Sequence, residues 1–211
     1  MKVFIIGAGN IGGAQVRSAV KAGHQVSVFA KGVQKLAELV AETGATSVSS
    51  VAEGTKGVDL VYLAIPASAV PAVAAELKPV IGSAVLIDGT NPLNATYSDL
   101  EYQGESGAAD LQALLPDVAV VKAFNTVFAS RYATTAQHGH ALQVFIAGNN
   151  EAANSKVGEY ARSLGFDPVV LGGLRFAKSM EEMAFLNIAF NVSKGLSWQS
   201  AWSLTGPDGL K

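Results

Sequence analysis

Three glycines stand where the first apolar run of the chain, residues 2–6, meets the helical pattern over residues 10–22. Gly7, Gly9 and Gly12 have the spacing G-x-G-x-x-G. In a strand–turn–helix unit, the first glycine allows a tight turn, the second lets the backbone approach a pyrophosphate, and the third lets helix and strand pack closely. The N–H groups at the helix start bind the anion. The sequence therefore predicts a dinucleotide site at Gly7, Gly9, Asn10, Ile11 and Gly12, the alternative being a turn without a ligand.

Short apolar runs alternate with helical patterns along the whole chain. The predicted strands cover residues 2–6, 25–29, 46–49, 58–64, 84–88, 118–122, 142–147 and 168–171. The predicted helices cover residues 10–22, 33–43, 68–77, 106–114, 126–134, 151–164 and 176–192. Continuous apolar strands are typical of sheets that are covered on both faces, and the alternation indicates parallel pairing through right-handed crossovers. We therefore predict a doubly wound, mostly parallel α/β sheet in one Rossmann domain, residues 1–211, with a carboxyl-terminal helical extension at about 174–205.

Composition excludes several functional classes. Charged residues make up 15% of the chain and the formal net charge is −2, so there is no basic excess to bind nucleic acid. The absence of cysteine excludes disulfides, thiolate nucleophiles and cysteine-based metal sites. No apolar run approaches the roughly 18 residues of a membrane span, and the first is too short for a signal peptide. We expect a soluble cytoplasmic protein without membrane or nucleic-acid partners.

The end of the second predicted strand favours NADP(H) over NAD(H). NAD sites usually place Asp or Glu there to bind the ribose 2′-hydroxyl. Here Ala30 and Lys31 follow the strand, Lys35 lies one helical turn later, and the first acidic residue of the chain is Glu38. Lysines at this position would attract a 2′-phosphate. The alternative is that both are solvated charges at a helix start.

The ends of the later strands are expected to meet the nicotinamide half of the cofactor, since ligands lie along the carboxyl ends of such strands. Each residue at these strand ends could instead serve only as a turn residue or a helix cap, and Asn125 in particular could cap the helix predicted after it. No catalytic acid or base is predicted, and the nearest candidates are Asn125 and Thr126. The predicted contacts are Ala64, Ile65, Pro66, Asn91, Ala123, Phe124 and Asn125.

Histidine and tryptophan add little to this site. We predict no metal centre, because His138 and His140 have no third ligand at a useful spacing, and His24 is expected to be structural. Trp198 and Trp202 are one helical turn apart, which favours a packed or dimer-buried helix face over a stacking platform for a substrate.

Four segments together resemble the NADPH-dependent coenzyme F420 reductase family: residues 7–12, 64–66, 121–126 and 145–148. Residues 121–125 are also similar to the NADPH-binding domain of the STEAP metalloreductases. The resemblance implies a Rossmann domain with a carboxyl-terminal extension, usually a homodimer. It also implies hydride transfer between NADP(H) and a flavin or deazaflavin that lies over the nicotinamide.

The chain departs from the F420 reductases at two places. That family carries a serine and two arginines where this chain has Ala30, Lys31 and Gly32, while its lysine is kept as Lys35. Its histidine near the nicotinamide corresponds to Asn125. A single lysine lacks the bidentate grip of arginine on a phosphate. Free flavin, a flavoprotein and a metal chelate reduced through flavin all stay open as acceptors.

The resulting expectation is an NADP(H)-dependent oxidoreductase that acts by positioning, with the reacting atoms about 3–3.5 Å apart. A small-molecule acceptor of flavin or deazaflavin type is the expected partner. One alternative is a non-catalytic NADP(H) sensor, and a less favoured one is an imine or hydroxy-acid reductase. An apolar stripe on the predicted helix 176–192, followed by the two tryptophans, predicts a homodimer through the carboxyl-terminal helices.

Overall fold

The computed structural model describes residues 1–206. Its strands are β1 (Lys2–Ile6), β2 (Gln25–Phe29), β3 (Thr46–Ser47), β4 (Leu60–Leu63), β5 (Val85–Asp88), β6 (Val120–Ala123), β7 (Ala136–Gln137), β8 (His140–Ala141), β9 (Gln143–Gly148) and β10 (Asp167–Gly172). Its α-helices are α1 (Asn10–Lys21), α2 (Val33–Thr43), α3 (Val51–Gly54), α4 (Val70–Leu77), α5 (Gly107–Leu114), α6 (Glu151–Ser163) and α7 (Ala177–Lys194). Short 3₁₀ turns lie at Ala67–Ala69, Ala129–Arg131 and Leu174–Phe176.

Eight strands form one sheet in the order β3-β2-β1-β4-β5-β6-β9-β10. All neighbouring pairs are parallel except β6 and β9. The chain moves outward from β1 to β3 and then crosses to β4 on the other side of β1, so the strand order switches between β1 and β4. A crevice for ligands opens at the carboxyl ends of the strands at such a switch point. The predicted doubly wound, mostly parallel fold is confirmed.

Both faces of the sheet are covered, which explains the continuous apolar strands. Along β1, Val3 and Ile5 pack with residues of α1, α2 and α6 on one face. Phe4 and Ile6 pack with residues of α3, α4 and α5 on the other. Side chains alternate across a strand, so each face needs its own set of apolar residues.

The helix predicted over residues 126–134 is wrong. After β6 the chain makes only a 3₁₀ turn at Ala129–Arg131 and the small hairpin β7–β8, and β9 then pairs antiparallel to β6. Residues 124–142 are numerous enough for a crossover, but they form no α-helix, which is the usual crossover to a parallel strand. Without one, the chain comes back in the opposite direction. Asn125 is consequently not a helix cap.

The carboxyl-terminal extension is helical only in part. Gly195 ends α7 with φ 59°, in the left-handed region that favours glycine. Residues 195–206 contain no helix, so the prediction that Trp198 and Trp202 lie on a helix is wrong. This segment runs back along the sheet, where the Gln143 side chain donates to the Leu204 carbonyl (3.0 Å) and accepts from the Leu204 N–H (2.6 Å).

Candidate functional site

The glycine turn after β1 is held tightly at Gly7 and Gly12 and is open at Gly9. Gly7 has φ 118°, and a Cβ there would lie 2.2 Å from the carbonyl oxygen of Ala64. A Cβ at Gly12 would lie 2.0 Å from the carbonyl oxygen of Gly7. A Cβ at Gly9 would meet no heavy atom within 4 Å. Only Gly9 therefore presents free backbone surface, which is what the approach of a pyrophosphate requires.

Helix α1 begins at this turn without a capping side chain. Gly9 is the N-cap residue, and the first turn of the helix carries no acidic residue. The first N–H groups of an α-helix have no partner within the helix, and together with the helix dipole they favour an anion. Asn10 is exposed and Ile11 is half-buried, so both predicted residues lie at the mouth of the turn.

The end of β2 is basic. The Gly7 N–H donates to the Phe29 carbonyl at 2.8 Å, which brings this end beside the glycine turn. Ala30 is half-buried, and Lys31 and Lys35 are exposed. No ion pair of either lysine with an acidic side chain is found among residues 1–206.

The nearby acidic residues have other partners. The Glu42 carboxylate accepts two hydrogen bonds from Arg17, at 2.7 and 2.6 Å, and the Glu38 carboxylate accepts one from Gln34 at 3.1 Å. Hydrogen bonding to Arg17 lowers the pKa of Glu42, so this carboxylate is ionised and paired. The Glu42 carboxylate is therefore directed toward Arg17 of α1, and that of Glu38 toward a neighbour on its own helix.

Two asparagines join the loops that follow β5 and β6. The Asn91 side chain donates to the Asn125 carbonyl at 2.9 Å, and the Asn125 side chain donates to Asn91 Oδ1, also at 2.9 Å. Asn125 Nδ2 further donates to the Met180 carbonyl of α7 at 2.9 Å. Within the described residues, the buried Asn125 Oδ1 has no hydrogen-bond partner. This atom is an acceptor that a ligand amide could satisfy.

Other predicted contacts after β6 point into the protein. Ala123, Phe124 and Thr126 are buried. The Phe124 ring packs among Tyr62, Tyr132, Tyr160 and Phe166, with ring centroids 5.8–6.4 Å apart. Ala123 and Phe124 could therefore contact a cofactor only through their backbone.

A buried charge network, which sequence reasoning missed, lies beneath these loops. Lys122 Nζ is 2.9 Å from Asp88 Oδ2 and 2.8 Å from Glu181 Oε1, and it donates to the Thr90 carbonyl at 2.6 Å. All three charged side chains are buried. Burial by itself lowers the pKa of Lys122, but the two carboxylates outweigh it and the pKa is raised above its ordinary value. Lysine in an otherwise apolar strand was the available signal.

The network fixes three segments around the crevice. Asp88 Oδ1 accepts hydrogen bonds from the Thr90 N–H (2.9 Å) and hydroxyl (2.7 Å), which shapes the loop after β5. Glu181 accepts from the N–H groups of Gly107 (3.0 Å) and Ala108 (3.2 Å) at the start of α5. A carboxylate at a helix N-terminus is stabilised by the helix dipole. Lys122 thereby connects β6, α5 and α7 at the end of the crevice where Asn91 and Asn125 lie.

A cavity of about 700 Å³ adjoins this end. It lies between the 3₁₀ turn at Ala67–Ala69, the loop after β5, and helix α5. Pro66 and Asn91, both predicted cofactor positions, line it. This volume falls within the roughly 300–1,000 Å³ of small-molecule sites, so the crevice continues into a space that can hold a second molecule.

The described residues contain no group of three or more His, Asp or Glu side chains placed to hold a metal ion. His138 and His140 are exposed in the β7–β8 hairpin. His24 lies 2.7 Å from the Ser163 hydroxyl, and burial lowers the pKa of His24.

Among the described helices, none combines the length and the hydropathy that a membrane span requires.

The amino-acid sequence of this chain is similar to those of known proteins. The profile of the family described as NADP oxidoreductase, coenzyme F420-dependent, matches residues 2–92. Metalloreductase STEAP3 of Rattus norvegicus is 27% identical over 180 residues, which is 85% of this chain and 36% of the relative. The chain thus spans about a third or less of the length of the curated relatives it matches.

Solved structures share the fold. A protein assigned as an F420-dependent NADP-reductase, from Arthrobacter sp. fb24, has a TM-score of 0.83 at 23% identity, covering 93% of this chain and 96% of that chain. A reductive aminase of Aspergillus terreus, solved in complex with NADPH and ethyl levulinate, has a TM-score of 0.66 at 20% identity, covering 92% of this chain and 62% of that chain. This chain therefore has the same fold as these two proteins. Residues 2–92 carry the sequence pattern of the F420-dependent NADP oxidoreductases, and the resemblance inferred from the sequence is confirmed.

Proposed function

We propose that this protein is an NADP(H)-dependent oxidoreductase that transfers a hydride between NADPH and a flavin or deazaflavin acceptor. One observation carries the proposal: the uncapped start of α1 at Gly9 lies beside a strand end that has Lys31 and Lys35 and no carboxylate. The first feature suits a pyrophosphate and the second a 2′-phosphate.

The residues along the crevice fit the two halves of NADP(H). The backbone at Gly9, Asn10 and Ile11 would bind the pyrophosphate, and Lys31 with Lys35 would bind the 2′-phosphate. Asn125 Oδ1, buried and without a partner in the described chain, would accept a hydrogen bond from the nicotinamide amide. When bound, NADPH supplies a hydride, and the acceptor takes it up with one proton from water as NADP⁺ is released.

The protein contributes position and exclusion of water rather than acid–base chemistry. Asn125 and Thr126, the side chains nearest to this step by prediction, do not ionise in the physiological range. The Asn91–Asn125 hydrogen bonds and the Lys122 network hold the two loops in one arrangement. Preorganised positioning is the main contribution that hydride transfer requires of a protein.

We also propose that the functional unit is a homodimer. Helix α7 exposes Leu186 (58% exposed), Phe190 (51%) and Val192 (66%), and Trp198 beyond it is 41% exposed. Leu186 and Phe190 are four residues apart and so lie on the same face of α7, and an exposed apolar patch is typical of a protein interface.

The test is NADPH oxidation, followed at 340 nm, against a panel of coenzyme F420, FMN, FAD, riboflavin, ferric chelates, quinones, imines and keto acids. Turnover with a flavin-type acceptor supports the proposal. Tight NADPH binding without turnover of any acceptor would favour the non-catalytic sensor. Turnover of imines or keto acids alone would favour the other alternative, an imine or hydroxy-acid reductase.

A further inference from the structure

The 700 Å³ cavity beside Pro66 and Asn91 lies in an acidic part of the chain. Between Lys78 and Lys122 the sequence contains no Lys, Arg or His, but it contains six acidic residues: Asp88, Asp99, Glu101, Glu105, Asp110 and Asp117. The opposite end of the crevice has Lys31 and Lys35 instead. Asp88 is paired with Lys122, and the carboxylates that line the cavity itself make this end of the crevice unfavourable for anions.

Two carboxylates belong to the cavity wall itself. Glu101 and Asp110 line it, and no basic side chain does. Asp110 is held in place because its two oxygens accept hydrogen bonds from the N–H groups of Gln103 and Gly104, both at 2.7 Å. Lys178 lines a separate cavity together with Arg175, and its Nζ lies 5.7 Å from the centroid of the Tyr102 ring.

The rest of the wall suits a flat aromatic molecule. Two aromatic residues, Tyr97 and Tyr102, line the cavity together with Pro66, Val70 and Leu111. Tyr97 is 68% exposed, and its backbone is left-handed with φ 57°. Tyrosine rings stack on planar aromatic ligands and also offer a hydroxyl for hydrogen bonding. Shape and polarity thus favour a heteroaromatic ring, and charge disfavours a phosphate attached to it.

We infer that the electron acceptor is a flavin without a phosphate group, of the riboflavin class, bound in this cavity in preference to FMN, FAD or coenzyme F420. The inference rests on the proposed function and names its acceptor. Chemically, riboflavin gains a hydride from NADPH and one proton from water and becomes dihydroriboflavin, while NADPH becomes NADP⁺. The phosphorylated flavins react in the same way, so discrimination among them arises in binding and appears in KM rather than in kcat.

Binding and turnover are measured separately. Quenching of flavin fluorescence, titrated with protein and NADP⁺ at low salt, is expected to give a Kd for riboflavin about tenfold or more below that for FMN. The ratio is expected to shrink in roughly 0.5 M NaCl, because salt screens the repulsion. Equal affinities, or tighter binding of FMN, would overturn the inference. Absence of NADPH oxidation with every acceptor would instead overturn the proposed function, and the binding titration would still decide the inference.

Reversing a charge on the cavity wall tests whether the discrimination between riboflavin and FMN arises there. Glu101→Lys is expected to lower the KM for FMN, relative to the KM for riboflavin, by about three- to tenfold. Asp117→Lys makes the same change of net charge on an exposed residue outside the cavity wall and is expected to alter neither KM. Equal effects of the two variants would overturn the assignment to this cavity.

Ala113→Trp, which fills the cavity from α5, is expected to raise the KM for every flavin at unchanged NADPH affinity; an unchanged KM would place the acceptor elsewhere.

Discussion

Lys122 Nζ lies 2.8 Å from Glu181 Oε1, and both side chains are fully buried. The pair joins the centre of the sheet to helix α7, and Asp88 at the end of β5 shares the same ammonium group. Two carboxylates around one lysine leave an excess negative charge, which the N–H groups at the start of α5 and in the loop at Thr90 stabilise. The buried ion pairs therefore hold in place the loops that would contact the nicotinamide.

Replacing Lys122 by Met is expected to lower the free energy of unfolding by about 3–5 kcal/mol, because two buried carboxylates lose their counter-charge. Urea denaturation measures this. Lys78→Met, at an exposed position, is the control and is expected to change stability by less than about 0.5 kcal/mol. A loss of similar size in both variants would contradict the network's role.

The pH dependence of the same variant has a definite sign. In the wild type the raised pKa of Lys122 contributes stability that is complete below the ordinary lysine pKa of about 10.4 and is lost at higher pH. Lys122→Met lacks this contribution at every pH. The stability deficit of the variant is therefore expected to shrink as the pH rises above about 10.4; a constant deficit between about pH 8 and pH 11 would contradict this.

The geometry of the glycine turn predicts different outcomes for valine at Gly12 and for valine at Gly9. Gly12→Val places a Cβ 2.0 Å from the Gly7 carbonyl oxygen, so the helix must move and the melting temperature is expected to fall. Gly9→Val meets open space, so the circular dichroism spectrum and melting temperature are expected to persist while NADPH binding is lost. Calorimetric detection of NADPH binding to a folded Gly9→Val would show that the turn is not the pyrophosphate site.

Cofactor preference depends on the end of β2. Calorimetry is expected to give tighter binding of NADPH than of NADH. Lys31→Asp is expected to weaken NADPH binding about 10–150-fold, since a charge-assisted contact contributes about 1.5–3 kcal/mol, with little effect on NADH. Lys56→Asp, at an exposed position after α3, serves as the charge-matched control. Equal affinity of the wild type for the two nucleotides would remove the basis of this prediction.

Exposed apolar residues on α7 predict the oligomeric state. Light scattering is expected to give twice the 21.7 kDa of the chain. Phe190→Asp is expected to produce monomers, because an unpaired carboxylate in an apolar interface is strongly disfavoured. Val33→Asp, at a position that is 78% exposed on α2, is expected to leave the dimer intact. A monomeric wild type at micromolar concentration would contradict the dimer.

The sequence alone determined most of the strands and helices and the glycine turn. Strands β1 and β2 and helix α2 begin and end where the apolar pattern predicts, because strands buried on both faces and helices with one buried face carry local, periodic signals. The turn was equally readable, since the steric demand at Gly7 and Gly12 leaves glycine as the residue that fits.

Only the tertiary structure decided how distant segments meet. The direction of β9, the non-helical course of Trp198 and Trp202, and the burial of Phe124 depend on contacts between segments far apart in the chain. The Asp88–Lys122–Glu181 network is the clearest case: each residue is an ordinary charged side chain in the sequence, and the network exists because the fold brings β5, β6 and α7 together away from water. In that environment, an ion pair depends on the geometry of all three partners, which no local pattern of residues records.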